Sequence, residues 1–243
     1  MNKYTIHYYQ CPHCGFVETE APYWLKEAYE RPINKTDVGI LERNIQLRDI
    51  VASILFFYFD HTKPMLDYAG GYGIFTRLMR DLGFEFLWSD PYTKNLFADG
   101  FEFKTGVLLE ALTTFETFEH FENPVEEFSK MLSLSKNIIA TTQLISTPAP
   151  PADLWWYYGL EHGQHISFYT KKSFEILAEK FQLNYHTNGI NIHIFTSKVI
   201  SPRLLRLIFR YHHRGIFRYV RKRLTSKTVS DMEYIIQSLK INS

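Results

Sequence analysis

The stretch Met65-Leu-Asp-Tyr-Ala-Gly-Gly-Tyr-Gly73 constrains the fold more than any other, because it joins a buried strand to a helix through a glycine-rich turn. Glycines at 70, 71 and 73 let the backbone take positive φ and approach a ligand without a Cβ in the way. Asp67 closes the strand and sets a carboxylate beside that turn. After it, apolar residues at 74, 75, 78, 79 and 82 fall on one face of a helix. A second apolar run, Phe84 to Asp90, ends in an acid seventeen residues beyond Gly73. In an open α/β sheet an acid at the tip of the second strand takes ribose hydroxyls, while the glycine turn takes the rest of the ligand. The pattern predicts an adenosine-containing cofactor.

Two features separate the turn from a dinucleotide fold. Its glycine order is Gly-Gly-Tyr-Gly, not the G-x-G-x-x-G that seats a pyrophosphate on a helix N-terminus. An acid precedes the turn, where it repels a phosphate but suits a cationic amino-acid group. These residues resemble motif I of the class I S-adenosylmethionine-dependent methyltransferases. The resemblance implies a Rossmann-like doubly wound α/β sheet of seven strands whose last strand is antiparallel. It also implies that Asp67, Ala69, Gly70, Gly71 and Gly73 line the methionine side and that Asp90 binds the ribose. The family usually has glycine where Ala69 stands.

Composition narrows the remaining options. The 243 residues, 45% of them hydrophobic, suffice for one large domain or a domain with a small appendage. A formal net charge of +1 gives no global field to draw in nucleic acid. No apolar run reaches the roughly 20 residues of a membrane span, and no signal-like start is visible, so the expected location is the cytoplasm. Two cysteines three positions apart exclude a disulfide framework.

The segments divide as 1–33, a degenerate zinc-knuckle-like start; 34–200, the methyltransferase-like domain; and 201–243, a basic helical extension. Cys11-Pro-His-Cys14-Gly is a knuckle of the kind that presents two thiolates to one zinc ion. Structural zinc wants four ligands, so the alternatives are a bound ion and a knuckle-shaped turn with free thiols. Sugar-modifying methyltransferases similar to this chain often carry two such pairs, which makes this a module lacking its first pair. Thr36 or Asp37 is the expected N-cap of a helix to about Tyr58, a lid over the cofactor from which Arg43 can reach a carboxylate. Phe101-Glu-Phe103 is a candidate third strand, 112–120 the fourth and 137–144 the fifth. Glu116, Glu119 and His120 then stand at carboxyl ends of strands, where open sheets place their ligands, Glu116 on the cofactor side. The resemblance marks the Glu-His step as the turn after the fourth strand of small-molecule methyltransferases.

Residues 145–170 hold Trp155, Trp156, Tyr157 and Tyr158, flat amphipathic surface for sugar or ring faces, together with Tyr169. The segment Glu161-His-Gly-Gln-His-Ile-Ser-Phe-Tyr169 resembles the histidine-bearing stretch that such enzymes set opposite the methyl group. His165 is the first candidate for a general base, followed by His120 and His162, with Glu119 or Glu161 orienting an imidazole. The resemblance points to a sugar or glycan precursor of bacterial polysaccharide biosynthesis as acceptor. Rival readings are a nucleotide-cofactor oxidoreductase and a non-catalytic scaffold. Runs 182–187 and 190–197 flank Asn188-Gly189, a hairpin turn dipeptide. Between Arg203 and Lys227 nine Lys or Arg and no acid interleave with apolar residues. Such a helix can lie on an anionic membrane or bury its apolar face on the domain.

Overall fold

The computed structural model describes residues 3–30, 33 and 37–241. Thr36, one of the two expected helix caps, lies outside the described residues. The chain forms two compact units, residues 1–37 with 114–199, and residues 38–113 with 200–243.

In the second unit α2 (Ile40–Tyr58) precedes β3 (Met65–Tyr68), α3 (Ile74–Leu82) and β4 (Phe86–Ser89). Strand β3 pairs in parallel with β4 and with the start of β5 (Ala111–Phe115). Helix α3 stops where its periodicity ends, at Gly83 with φ of 119°. Phe75, Phe84, Phe86, Met65 and Leu55 make the core of this unit. Helix α2 starts after Gly39, without a side-chain cap. From Leu47 onward it is a packing helix along α3, so any lid character is confined to residues 40–46, where Leu41 and Ile45 are exposed.

The first unit carries the end of β5, then α4 (Pro124–Leu134), β6 (Asn137–Thr141), β7 (Ser167–Phe168), α5 (Lys171–Lys180), β8 (Asn184–Thr187) and β9 (Ile192–Thr196). Strand β9 runs antiparallel to β6 and β8, as expected of the last strand. The β8–β9 connection is wider than a two-residue turn: Asn188 Oδ1 accepts the backbone N–H groups of Ile190, Asn191 and Ile192. Phe118, Phe128, Phe174 and Phe195 fill the core. A hairpin of β1 (Tyr8–Gln10) and β2 (Val17–Thr19) pairs antiparallel with β7 in a separate three-stranded sheet. A short helix, α1 (Leu25–Ala28), follows it.

Among the described residues the main sheet has six strands in the order β4-β3-β5-β6-β9-β8, not seven. The missing strand is Phe101-Glu-Phe103, which keeps a single parallel bridge between Glu102 and Trp88. Two backbone bonds to Trp88 form, but turns at Ala98–Phe101 and Lys104–Val107 leave no room to extend the ladder.

The basic tail is not one helix. It breaks into α6 (Pro202–Tyr211) and α7 (Ile216–Arg221), and α8 (Thr228–Ile241) follows. Leu205, Ile208 and Val220 are buried, Phe57 stacks on Tyr219 at 6.1 Å, and Arg48 lies over the Phe217 ring. The apolar face is thus folded onto α2 while Arg203, Arg206 and Arg218 stay exposed. Among the described residues no helix is long and apolar enough to cross a membrane.

Candidate functional sites

The glycine turn of the second unit is built from below by Asp67, which is 2% exposed. Its Oδ1 accepts the Thr113 hydroxyl at 3.0 Å and its Oδ2 the Thr76 hydroxyl at 3.1 Å. Desolvation, reinforced by the charge of Asp90, pushes its pKa up to about 7 against these two bonds. A folded-state pKa raised above the unfolded value destabilises the fold as pH climbs, because the buried carboxyl must then ionise. Between pH 4 and 7 this term is on the order of 4 kcal/mol. The melting temperature of the Asp67→Asn protein, minus that of wild type, is expected to grow as pH rises through this window. A difference that stays flat with pH would refute the buried-acid assignment.

Above Asp67 the backbone turns sharply. Gly71 and Gly73 have φ of 54° and 83°, and Ala69, where the family usually has glycine, holds a left-handed φ of 57°. Gly70 is required by contact: a Cβ there would stand 2.7 Å from Asp67 Oδ2 and 2.8 Å from Trp88 Cδ1. Gly70→Ala is therefore expected to lower stability by about 1–3 kcal/mol, read by denaturant unfolding. Asp90 organises the rim. Its Oδ2 accepts the Gly71 N–H at 3.0 Å, and its Oδ1 accepts the N–H groups of Tyr92 and Thr93, both at 2.8 Å. Three of the roughly four acceptor positions of a carboxylate are so engaged. The Gly71 carbonyl is fixed by the Trp88 indole N–H at 2.9 Å and the Thr93 hydroxyl at 2.7 Å. Trp88, Thr76, Thr93 and Thr113 were not legible as site residues; only their position next to Asp67, Asp90 and the turn gives them a role.

In the first unit the residues expected to do chemistry converge on Tyr157. Its hydroxyl donates to Glu119 Oε1 at 2.6 Å and lies 3.1 Å from Glu116 Oε2. Its carbonyl accepts from His165 Nδ1 at 2.6 Å. His120 Nδ1 donates to the Gln164 carbonyl at 3.0 Å. The rings of His120 and His165 are 5.0 Å apart, and those of His162 and His165 4.7 Å. Glu119 is fully buried, and desolvation with the nearby Glu116 raises its pKa well above the usual carboxylate range. Burial lowers His120 to about 4 and holds His165 well below 6.5, so both rings are neutral at pH 7. Glu116 stands at a left-handed φ of 50°, a strained position of the kind that collects at functional sites. His162 accepts the Gln164 N–H on Nδ1, which puts the proton of its neutral ring on Nε2.

The aromatic residues separate. Trp156 is 75% exposed and free to meet a ligand. Trp155 is partly buried against Tyr157, Tyr158 and Phe168. Tyr158 is buried, its hydroxyl spent on the Pro150 carbonyl at 3.0 Å, and Tyr169 stacks at 4.5 Å on Phe174 with its hydroxyl on the Phe118 carbonyl. These two are core tyrosines, because both ends of each ring are already satisfied inside the protein. The knuckle is the turn of the β1–β2 hairpin, closed by the Cys11 N–H on the Phe16 carbonyl and the Gly15 N–H on the Cys11 carbonyl. The N–H groups of Cys14 and His13 hold the Cys11 thiol below its usual range, while burial raises Cys14. Among the described residues no third metal-ligating side chain joins the pair, so the four-ligand requirement of structural zinc is not met here.

Solved structures of similar shape include TnmH, at 12% identity, a TM-score of 0.48 and coverage of 72% of this chain and 61% of that one. Magnesium protoporphyrin IX methyltransferase from Synechocystis PCC 6803 with bound SAH gives 14% identity, a TM-score of 0.48 and coverage of 72% and 96%. Mitomycin 7-O-methyltransferase gives 13%, 0.46, 71% and 60%. The chain thus spans about three fifths of TnmH and of the mitomycin enzyme. No curated protein sequence matches it. The family model described as "Methyltransferase domain" matches residues 41–188, more than half of the chain. A strand, glycine turn and helix with an acid after the next strand lie within that match, and the chain belongs to the methyltransferase-domain family.

Proposed function

We propose that this chain transfers the methyl group of S-adenosylmethionine to a small-molecule acceptor of the sugar or glycan-precursor class, with His165 taking the acceptor's proton. The cofactor reading rests on the turn itself. It is a strand-to-helix turn with positive φ at Gly71 and Gly73, and Asp90 stands at its rim with acceptor capacity for a ribose hydroxyl. Asp67 acts from beneath, holding the turn in shape. The cofactor supplies an electrophilic methyl on a sulfonium centre. The protein contributes proximity and a proton sink.

One observation carries the base assignment: His165 Nδ1 donates to a backbone carbonyl, which leaves the lone pair of a neutral imidazole on Nε2. Trp156, exposed in the same segment, supplies a face for an acceptor ring. His162 is a poorer base because its Nδ1 is already occupied as an acceptor. Calorimetry with S-adenosylmethionine and with NAD tests the cofactor. Saturable binding of the first and none of the second is expected, and the reverse would refute the reading. Methyl transfer from labelled cofactor to nucleotide- or lipid-linked sugars tests the acceptor class.

A further inference from the structure

Glu119, His120 and His165 each offer one metal-ligating atom, and the three atoms lie within 4.8 Å of one another. Three independent features of these residues favour a cation. The first is Glu119 Oε2, which is buried and has no hydrogen-bond partner, whereas Oε1 is held by Tyr157. A buried carboxyl oxygen with no hydrogen-bond partner is disfavoured in either protonation state and calls for one. The second is the pair of histidines. Both spend Nδ1–H on a backbone carbonyl, His120 on Gln164 and His165 on Tyr157. Metal-ligating histidines almost always anchor their other nitrogen in this way, which aims the Nε2 lone pair. The third is charge. Glu116 brings a second carboxylate to the same Tyr157 hydroxyl, and that single proton can serve only one acid at a time. Glu119 has no lysine or arginine partner among the described residues.

We propose that Glu119, His120 and His165 form a binding site for a first-row divalent transition-metal ion. Two imidazoles and one carboxylate suit manganese, iron, cobalt, nickel or zinc, whereas magnesium and calcium prefer all-oxygen shells. Ligands held at about 2.1 Å by a tetrahedral ion stand roughly 3.4 Å apart. Closing the observed spacing therefore asks each side chain to move inward by less than about 1 Å, which small rotations about its terminal bonds supply. His162 stays outside, its Nδ1 being committed to the Gln164 N–H. The site goes beyond the methyl-transfer reading and does not depend on it. With an ion bound, His165 Nε2 is a ligand and no longer a proton acceptor, so an ion with open positions would itself acidify an acceptor hydroxyl, the task assigned above to the metal-free His165.

The test uses the full chain carrying Cys11→Ser and Cys14→Ser, stripped with chelator and titrated with Co²⁺ in the absence of S-adenosylmethionine. One ion per chain is expected, with ligand-field absorption and affinity weakened at least about 10-fold by His165→Ala and by Glu119→Gln. His213→Ala, at an exposed surface histidine, is expected to change nothing. No saturable binding, or binding that both site variants leave intact, overturns the proposal. Should those variants fail to fold, pulsed EPR of the Cu²⁺-loaded parent decides: two imidazole nitrogens support the site, and one or none overturns it. Methyl transfer assayed on the chelated protein keeps the two readings apart, since activity without Co²⁺ binding removes the metal site and leaves the transferase standing.

Discussion

His165→Ala is expected to lower turnover by roughly 10²–10⁴-fold, the contribution of a positioned general base, while S-adenosylmethionine affinity stays unchanged. The substitution removes the neutral Nε2 lone pair but touches nothing in the glycine turn. The pH profile carries the sign. Burial has lowered the His165 pKa, so the wild-type ring loses its proton well below pH 6.5 and stays competent through neutrality. Activity should fall only on the acid side, and that limb should vanish in the variant. Steady-state kinetics from pH 5 to 9 check both statements. Unchanged turnover, or a limb that persists without His165, would reject the assignment.

Asp231→Ala is expected to destabilise the chain by about 3–5 kcal/mol. Arg80, 3% exposed, points Nε and Nη2 at the two oxygens of Asp231 at 2.8 and 2.7 Å. Its Nη1 reaches Glu85 at 2.6 Å and the Phe86 carbonyl at 2.8 Å, and its guanidinium lies 3.7 Å from the Phe101 ring centroid. Arg77 adds a further bond to Asp231 at 2.8 Å. Removing the carboxylate leaves Nε and Nη2 of a buried guanidinium without their acceptors, Glu85 remaining as its partner on Nη1. Arg80 and Arg77 hold the Asp231 pKa below the usual range against the opposing effect of desolvation. The pair's contribution is thus present at neutral pH and lost as pH falls through the depressed value. Denaturant unfolding of Asp231→Ala measures the loss, and a change under about 1 kcal/mol would mean that α8 is merely appended.

Much of the fold was legible because periodicity and glycines marked it. Residues 65–83 read as strand, turn and helix, and the 184–196 hairpin read from its Asn-Gly dipeptide. The absent seventh strand was not legible, since Phe101-Glu-Phe103 has the right alternation and only the flanking turns cut it to one bridge. Composition suggested that Tyr157, Tyr158 and Tyr169 share one role, yet tertiary packing gave each hydroxyl a different partner. The carboxylate–histidine cluster was legible as a set of residue types. That one tyrosine would hold both Glu119 and His165 was not, because nothing in a sequence states which side chain faces which.

The β1–β2 hairpin is synthesised well before its outer partner, Ser167–Phe168, which emerges roughly 150 residues later. At 5–20 residues per second that is a delay of about 8–30 s. Until then β2 presents an open edge, because the strand that covers it, directly after His165, is not yet made. Assembly of the segment that bears His165 therefore depends on a contact across about 150 residues of sequence, and substitutions in β2 are expected to act on yield and activity together.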